Sequence, residues 1–119
     1  MVAKAMKNLS AANFTTVGQR LRVKSKGPAM LMIHAEWCGH CKRFLPLYKK
    51  MAARLGSAFP LYGIEDKNIN KDLGQALNFR GYPTIKFIDA DGYITGEYSG
   101  ERTETALLAK ICEVYHKCV

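Results

Sequence analysis

The chain has 119 residues, a length that fits a single domain able to bury a core without disulfide staples. Hydrophobic residues make up 48% and charged residues 24%, as in a soluble globular protein, and no run of about 18 apolar residues occurs, which excludes a membrane span. The net charge of +8 favours acidic partners, but the densest basic cluster, at 20–26, has no aromatic side chain to stack on bases. We therefore expect a solvated helix end there, and no nucleic-acid binding as the main function.

The first third of the chain predicts two strands around a helix. A short strand is expected at 4–8 and a helix at 10–23, capped by its first residue and ended by Gly27-Pro28. This helix would place on one face Phe14, Val17 and Leu21. The nearly continuous apolar run at 29–35 is typical of a central strand that is covered on both faces.

A longer helix is expected after Cys38, because apolar residues recur there at helical spacing: Phe44, Leu47, Tyr48, Met51 and Leu55. Pro46 lies within this helix and should kink it, since the proline ring clashes with the carbonyl group one turn earlier. Gly56 should end it.

The second half of the chain predicts three strands and two helices. The strands are expected at 61–65, 84–89 and 93–98, a short helix at 71–78, and a last helix capped by Thr103. The second and third of these strands are joined by a tight turn at 90–92. Strands that alternate with helices and then form a hairpin imply an α/β fold, with a central mixed sheet and helices on both faces.

The pair Cys38 and Cys41 carries the strongest chemical signal in the sequence. Cys38 falls at the expected start of a helix, where free backbone amides and the helix dipole stabilise an anion and lower the pKa of a thiol. Cys41 follows one helical turn later, within reach of the first sulfur. The spacing predicts a dithiol in which Cys38 attacks first and Cys41 resolves the resulting mixed disulfide.

The two residues between the cysteines are Gly39 and His40. A protonated or hydrogen-bonding imidazole at His40 favours the thiolate over the disulfide and makes the oxidised form a better oxidant; the alternative is an exposed spacer. A zinc site is the other interpretation of the cysteine pair, but zinc needs four ligands in a closed site. The remaining cysteines and the three histidines are scattered along the chain, so we expect no metal and no cofactor.

The run AEWCGHCK at 35–42 resembles the active site of the thioredoxin superfamily, and its histidine variant is similar to the catalytic domains of protein disulfide isomerases. The segments at 9–14, 80–87 and 98–102, and Pro46, also resemble that superfamily. The resemblance runs in order from about Asn8 to Cys112. It implies a single thioredoxin-like domain over 1–119 and thiol–disulfide oxidoreductase activity.

The resemblance also assigns roles outside the dithiol. Pro83 would be cis and would lie beside the two sulfurs, and backbone groups of Tyr82 would pair with an extended substrate strand. Trp37 and Tyr82 would form an apolar surface for substrates, although simple packing is the alternative for Trp37. Arg102 resembles an arginine that helps to ionise the buried thiol; the alternative is a solvated loop charge.

Two departures from the superfamily lie next to the dithiol. The usual buried carboxylate, six residues before the first cysteine, is replaced by Met32, and the lysine that often accompanies it aligns with Gly63. Both losses together are coherent, because a single buried charge would be costly. His34 lies on the same strand face as Met32 and is either a substitute base or a packed strand-end residue.

Cys112 and Cys118 are six positions apart in the last predicted helix. Six helical positions rise about 9 Å, whereas a disulfide needs Cα atoms within roughly 7 Å. We therefore expect no intrahelical disulfide, with Cys112 as a small core residue and Cys118 near a frayed end. A bridge becomes possible only where the helix unwinds before Cys118.

The expected function is formation and rearrangement of disulfides in thiol- or disulfide-containing protein substrates, by a monomer without nucleic-acid or membrane partners. A thioredoxin-like reductase and a chaperone-like binding module are the alternatives; His40 favours the first interpretation, because reducing members of the superfamily usually have proline there. The segment 1–10 lacks the apolar core of a secretory signal. The protein is therefore expected either to work where it is made or to have lost a leader, and its compartment is left open.

Overall fold

The computed structural model describes residues 6–25 and 27–118. The strands are β1 Lys7–Asn8, β2 Phe14–Val17, β3 Arg20–Val23, β4 Ala29–His34, β5 Leu61–Glu65, β6 Thr84–Ile88 and β7 Ile94–Tyr98, and the helices are α1 Gly39–Leu55, α2 Lys71–Leu77 and α3 Glu104–Tyr115. Five strands form one sheet in the order β1-β5-β4-β6-β7. Strands β1, β5 and β4 are parallel to one another, β6 pairs antiparallel with β4, and β7 pairs antiparallel with β6.

The centre of the sheet is β4, all of whose six residues are buried. Because successive side chains point to opposite faces, Met30 and Met32 join a core cluster with α1 and α3, while Leu31 and Ile33 join a second cluster with α2. The predicted α/β architecture, a mixed sheet with helices on both faces, is therefore confirmed. This arrangement carries the dithiol at the carboxyl end of the central strand.

The predicted helix at 10–23 is wrong. The structure has a short 3-10 helix at Ala11–Asn13 and then an antiparallel hairpin of β2 and β3. Gly18 takes a φ of +63°, which suits the first residue of a two-residue hairpin turn. Leu21 and Val23 are buried between more exposed arginines, so the strand period of two decides the structure and the helical spacing was coincidental. The basic cluster therefore lies largely on a hairpin and not at a helix end, with Lys26 outside the described residues.

The other element predictions agree with the structure to within about two residues, and the described part of the first strand is Lys7–Asn8, with 4–5 outside the described residues. Helix α1 continues through Pro46 and ends at Gly56, which takes a φ of +56°. Asn70 and Thr103 cap α2 and α3 with side-chain oxygens that accept backbone N–H bonds. Within the described part of the chain, no helix combines the length and apolar character needed to cross a membrane.

The expectation that Cys112 and Cys118 are unbridged is also wrong, because they form a disulfide with a Cα–Cα distance of 4.3 Å, which is the case left open for a helix that unwinds before Cys118. Helix α3 ends at Tyr115, and His116 takes a left-handed φ of +55° that turns the chain back. The rise of a continuous helix therefore does not apply to this pair. Cys112 is half-buried and cross-linked, and does not act as a free core residue.

Candidate active site

Cys38 is the N-cap residue of α1, directly after the central strand. Its backbone N–H donates to the carbonyl oxygen of Ala35 at 3.2 Å, and its sulfur accepts the backbone N–H of Cys41 at 3.2 Å. Short-range geometry explains this: the strand ends, one turn reverses the chain, and the first amides of the helix point at the N-cap side chain. The sulfur thus lies where the helix stabilises negative charge.

The two thiols differ strongly in acidity. Burial raises the pKa of Cys38, but hydrogen bonds from the Cys41 side chain and backbone and from the His40 backbone outweigh burial, so that the pKa is lowered. Burial and the hydrogen bond to Cys38 raise the pKa of Cys41 to about 11. Cys38 is 7% exposed and Cys41 is 1% exposed, so both thiols are buried and the second is covered more completely.

Gly39 and His40 are both exposed in the first turn of α1. The Nδ1 atom of the His40 ring lies 3.0 Å from a guanidinium nitrogen of Arg43. Arginine has no acceptor, so this ring nitrogen accepts the bond. The His40 backbone therefore adds to the hydrogen bonding that lowers the pKa of Cys38, while its ring contacts Arg43; the sequence had left open an imidazole that favours the thiolate and an exposed spacer.

An aromatic platform borders the Cys38 sulfur. Trp37 is 69% exposed, and its indole N–H donates to Asp66 Oδ2 at 2.9 Å. Its ring contacts the edge of Tyr82 with centroids 5.2 Å apart. The Tyr82–Pro83 bond is cis, and the Cys38 thiol donates to the Tyr82 carbonyl oxygen at 3.5 Å. The Cys38 sulfur therefore lies next to an exposed apolar surface and next to the residues that directly precede β6.

Arg102 lies in the exposed loop that follows β7. This loop is shaped by the Tyr98 hydroxyl, which donates to the Glu101 carbonyl oxygen. A Cβ atom at Gly100 would lie 2.5 Å from the Tyr98 hydroxyl oxygen, which explains the glycine in the motif at 98–102. The positive charge of Arg102 adds to the lowering of the pKa of Cys38 and opposes the rise in the pKa of Cys41, in both cases as a smaller effect than burial and hydrogen bonding.

Apolar packing occupies positions 32 and 63, where the sequence departs from the superfamily. Met32 is fully buried and is the register partner of Gly63 on β5. A Cβ atom at Gly63 would lie 2.8 Å from the terminal methyl of Met6, so the Met6 side chain occupies the space above it. No charged side chain replaces the missing pair at this position.

Two acidic residues near the site were missed by the sequence analysis. Glu65 is the register partner of His34 at the end of the parallel strands, and Asp66 holds the Trp37 indole. Glu65 could have been found from its pairing with His34 at the strand ends. That pairing can be predicted only when the register between β4 and β5 is known. Among the described residues, no group of three or more histidine, cysteine or acidic side chains is placed to hold a metal ion.

This arrangement supplies the parts of a thiol–disulfide exchange site. One sulfur is stabilised as a thiolate, a second lies within hydrogen-bond contact and holds its proton strongly, and an exposed aromatic surface adjoins them. Exchange needs a thiolate that attacks or leaves and a second thiol that displaces it. Cys38 and Cys41 fit these two roles in that order.

The comparisons with known proteins agree with this geometry. A family model described as Thioredoxin matches residues 5–113. The chain is 32% identical over 104 residues to a mitochondrial thioredoxin domain-containing protein of Schizosaccharomyces pombe, covering 83% of this chain and 27% of that protein. It is 35% identical over 108 residues to protein disulfide-isomerase A4 of Bos taurus, covering 89% of this chain and 16% of that protein. The chain thus spans less than a third of either curated relative.

A solved structure is similar over almost the whole chain. It is thioredoxin f from spinach chloroplast in its short form, with a TM-score of 0.69 and 23% sequence identity. The superposition covers 95% of this chain and 96% of the spinach chain. The overall fold is therefore shared with this solved structure.

Proposed function

Because the chain belongs to the thioredoxin family, we propose that its Cys38–Cys41 dithiol forms and rearranges disulfides in protein substrates. The observation that carries the proposal is the opposed acidity of two sulfurs in contact at a helix N-terminus. The pKa of Cys38 is lowered, and that of Cys41 is raised to about 11. Functional sites are where such pairs of perturbed groups concentrate.

The oxidative direction uses both sulfurs in turn. A substrate thiolate attacks the Cys38 sulfur of the Cys38–Cys41 disulfide, and Cys41 leaves and takes up a proton. A second substrate thiolate then attacks the substrate sulfur of the mixed disulfide, forming the substrate disulfide and releasing Cys38 as a thiolate. Two electrons pass from the substrate to the dithiol. Isomerisation starts from the reduced dithiol. The Cys38 thiolate attacks a substrate disulfide and releases one substrate thiolate; a different substrate thiolate then attacks the substrate sulfur of the mixed disulfide, and Cys38 leaves as a thiolate with no net transfer of electrons.

The stabilised Cys38 thiolate supports an oxidising or isomerising direction over a reducing one. Backbone amides and the helix terminus stabilise the reduced form, and a dithiol whose reduced form is stabilised makes a stronger oxidant as a disulfide. The resemblance of CGHC to protein disulfide isomerases points in the same direction. The relatives named for protein disulfide isomerisation contain this domain as one part of a longer chain.

The test compares two activities on one substrate protein. Wild-type protein is incubated with a substrate whose disulfides have been scrambled, in a glutathione buffer, and recovery of native substrate is followed beside reduction of the native disulfides. We expect recovery to be faster than reduction. Reduction without recovery would instead identify a thioredoxin-like reductase.

Trp37→Ala is expected to weaken the binding of protein substrates and to leave the reaction with small disulfides nearly unchanged. The indole is 69% exposed beside the Cys38 sulfur, and removing an exposed aromatic anchor from a contact surface costs about 1–2 kcal/mol of binding. KM for the scrambled protein should therefore rise about 5- to 30-fold. The rate of attack on a small disulfide should stay within about twofold.

Val114→Ala is the matched control for this variant. Val114 is also an exposed apolar residue, at 42%, but it lies on α3 and is absent from the aromatic platform. Its KM should be that of the wild type. Equal KM values for Trp37→Ala and Val114→Ala would exclude Trp37 from substrate binding.

A further inference from the structure

A cavity beside the buried thiol holds two polar groups that the dithiol steps above leave unused. It has a volume of about 460 Å³, and Cys41, His34 and Glu65 all line it. His34 is 5% exposed, and its Nε2 atom has no hydrogen-bond partner among the described residues; Glu65 Oε2 likewise lacks a hydrogen bond there and forms an ion pair with Lys67 at 3.5 Å. Buried polar atoms are nearly always hydrogen-bonded, so an unpartnered imidazole nitrogen beside a reactive sulfur calls for a function.

Strand pairing brings these two side chains to the same place. His34 and Glu65 are register partners at the carboxyl ends of β4 and β5, and Met32 and Gly63 are partners two residues earlier. Side chains alternate along a strand, so both pairs face α1. The earlier pair is apolar and filled by Met6, whereas the later pair is polar and lies one strand period closer to Cys41.

We propose that His34, paired across the sheet with Glu65, accepts the proton of Cys41 when this thiol resolves a mixed disulfide on Cys38. The inference rests on the thiol–disulfide function proposed above. In this step the Cys41 S–H bond breaks and its proton passes to His34 Nε2, directly or through water, for which the cavity has room. The Cys41 sulfur bonds to the Cys38 sulfur, the bond between Cys38 and the substrate sulfur breaks, and the substrate leaves as a thiolate.

The charges around His34 suit a neutral base. Burial lowers the pKa of His34; Glu65 opposes this effect, Lys49 of α1 adds to it, and Asp66 and Glu36 oppose it more weakly, with a net lowering. Lys42 of α1 and Cys41 complete the charged and titratable groups that line the cavity. Near pH 7 the imidazole is therefore unprotonated and able to accept a proton.

The charge of Glu65 is suited to stabilise the proton that the His34 ring receives. Its Oε2 atom lies 3.5 Å from the Lys67 ammonium group, which lies on the solvent side of the pair. The carboxylate raises the pKa of His34 against burial, so it makes the imidazole a stronger base. A carboxylate that stabilises the protonated form of an imidazole by its charge is a recurring arrangement in proton transfer.

The experiment separates attack by Cys38 from resolution by Cys41. Reduced protein is mixed in a stopped-flow instrument with an aromatic disulfide that releases a coloured thiolate. The first equivalent of thiolate reports attack by Cys38, and the second reports resolution. Both rates are measured from pH 5 to pH 10 for wild type, His34→Phe, His34→Gln and Glu65→Gln.

A base at His34 gives a specific pH profile. In the wild type, resolution should rise with pH through the lowered pKa of His34 and then level off, because the neutral imidazole takes the proton. In His34→Phe and His34→Gln, resolution should rise tenfold per pH unit towards the Cys41 pKa of about 11, and at pH 7 it should be slower by roughly 10²-fold. Glu65→Gln should move the inflection to lower pH and lower the plateau.

Glu36→Gln is the matched control, because this exposed carboxylate lines the same cavity and contributes least to the pKa of His34. Its resolution rate and pH profile should be those of the wild type. A plateau that persists in both His34 variants overturns the inference, and so does slower resolution with an unchanged profile, which would be a packing effect. Failure of the wild type to release the first thiolate would instead refute the proposed function.

Discussion

Cys38→Ser should reduce both isomerisation and oxidation of protein substrates to the uncatalysed background. The serine hydroxyl cannot form a disulfide, and Cys41 cannot replace it, since its pKa is about 11 and it is 1% exposed. The measurement is recovery of a scrambled substrate. Binding of an unfolded substrate, measured separately by fluorescence, should be unchanged, because Trp37 remains exposed.

The comparison of turnover with binding also separates an enzyme from a binding module. Substantial substrate recovery by Cys38→Ser would contradict the assignment of this sulfur as the attacking group. Cys118→Ser is the matched control, because it removes a cysteine of the C-terminal disulfide far along the chain from the dithiol. Its recovery activity should be that of the wild type.

Cys41→Ser should leave the first attack intact and trap its product. Cys38 keeps its place at the N-cap of α1, with the backbone amide at position 41 still donating to its sulfur. Without the resolving thiol, the mixed disulfide can break only by attack from outside, and uncatalysed disulfide rearrangement takes about minutes to hours. Mass analysis after acid quenching should find the substrate attached to Cys38.

The pH dependence of the trapped species gives a second readout. Because the pKa of Cys38 is lowered, formation of the mixed disulfide should approach its maximum rate at a lower pH than for an ordinary cysteine. Attachment of substrate to any cysteine other than Cys38 would contradict the assignment. A mixed disulfide that disappears as fast as in the wild type would show that Cys41 is not the resolving group.

The sequence predicts the central elements of the fold because their signals are local and strong. The apolar run of β4, the helical spacing in α1 and the turn between β6 and β7 each need only a short window. The hairpin of β2 and β3 was missed because Phe14, Val17 and Leu21 recur at helical spacing, although Val17 is 48% exposed in the structure. Burial of Leu21 and Val23 against the second core cluster, a tertiary effect, decides for the hairpin.

The C-terminal disulfide was missed for a different physical reason. The distance argument assumed that the helix continues, whereas His116 adopts a left-handed conformation that non-glycine residues seldom take. One residue at positive φ converts a rise along the helix axis into a reversal. Nothing in a helical period signals where such a reversal occurs.

The residues of the candidate site also fall into those that the sequence could predict and those that it could not. Cys38, Cys41, Trp37, Tyr82 and Pro83 lie in segments whose spacing or resemblance could be read from the chain, and the structure brings them together. Glu65 and Asp66 could not be predicted, because their roles depend on which residue of one strand faces which residue of another. The ring of His40 likewise turns to Arg43, a contact that spacing alone does not select.

The reduction potential of the Cys38–Cys41 couple tests the central claim most directly. The protein is equilibrated in glutathione buffers of defined ratio, quenched with acid, alkylated and analysed by mass. A dithiol whose reduced form is stabilised at a helix N-terminus should show a potential near about −180 mV, the value typical of a protein disulfide isomerase. A potential near about −270 mV, typical of thioredoxin, would contradict the proposed function and identify a reductase.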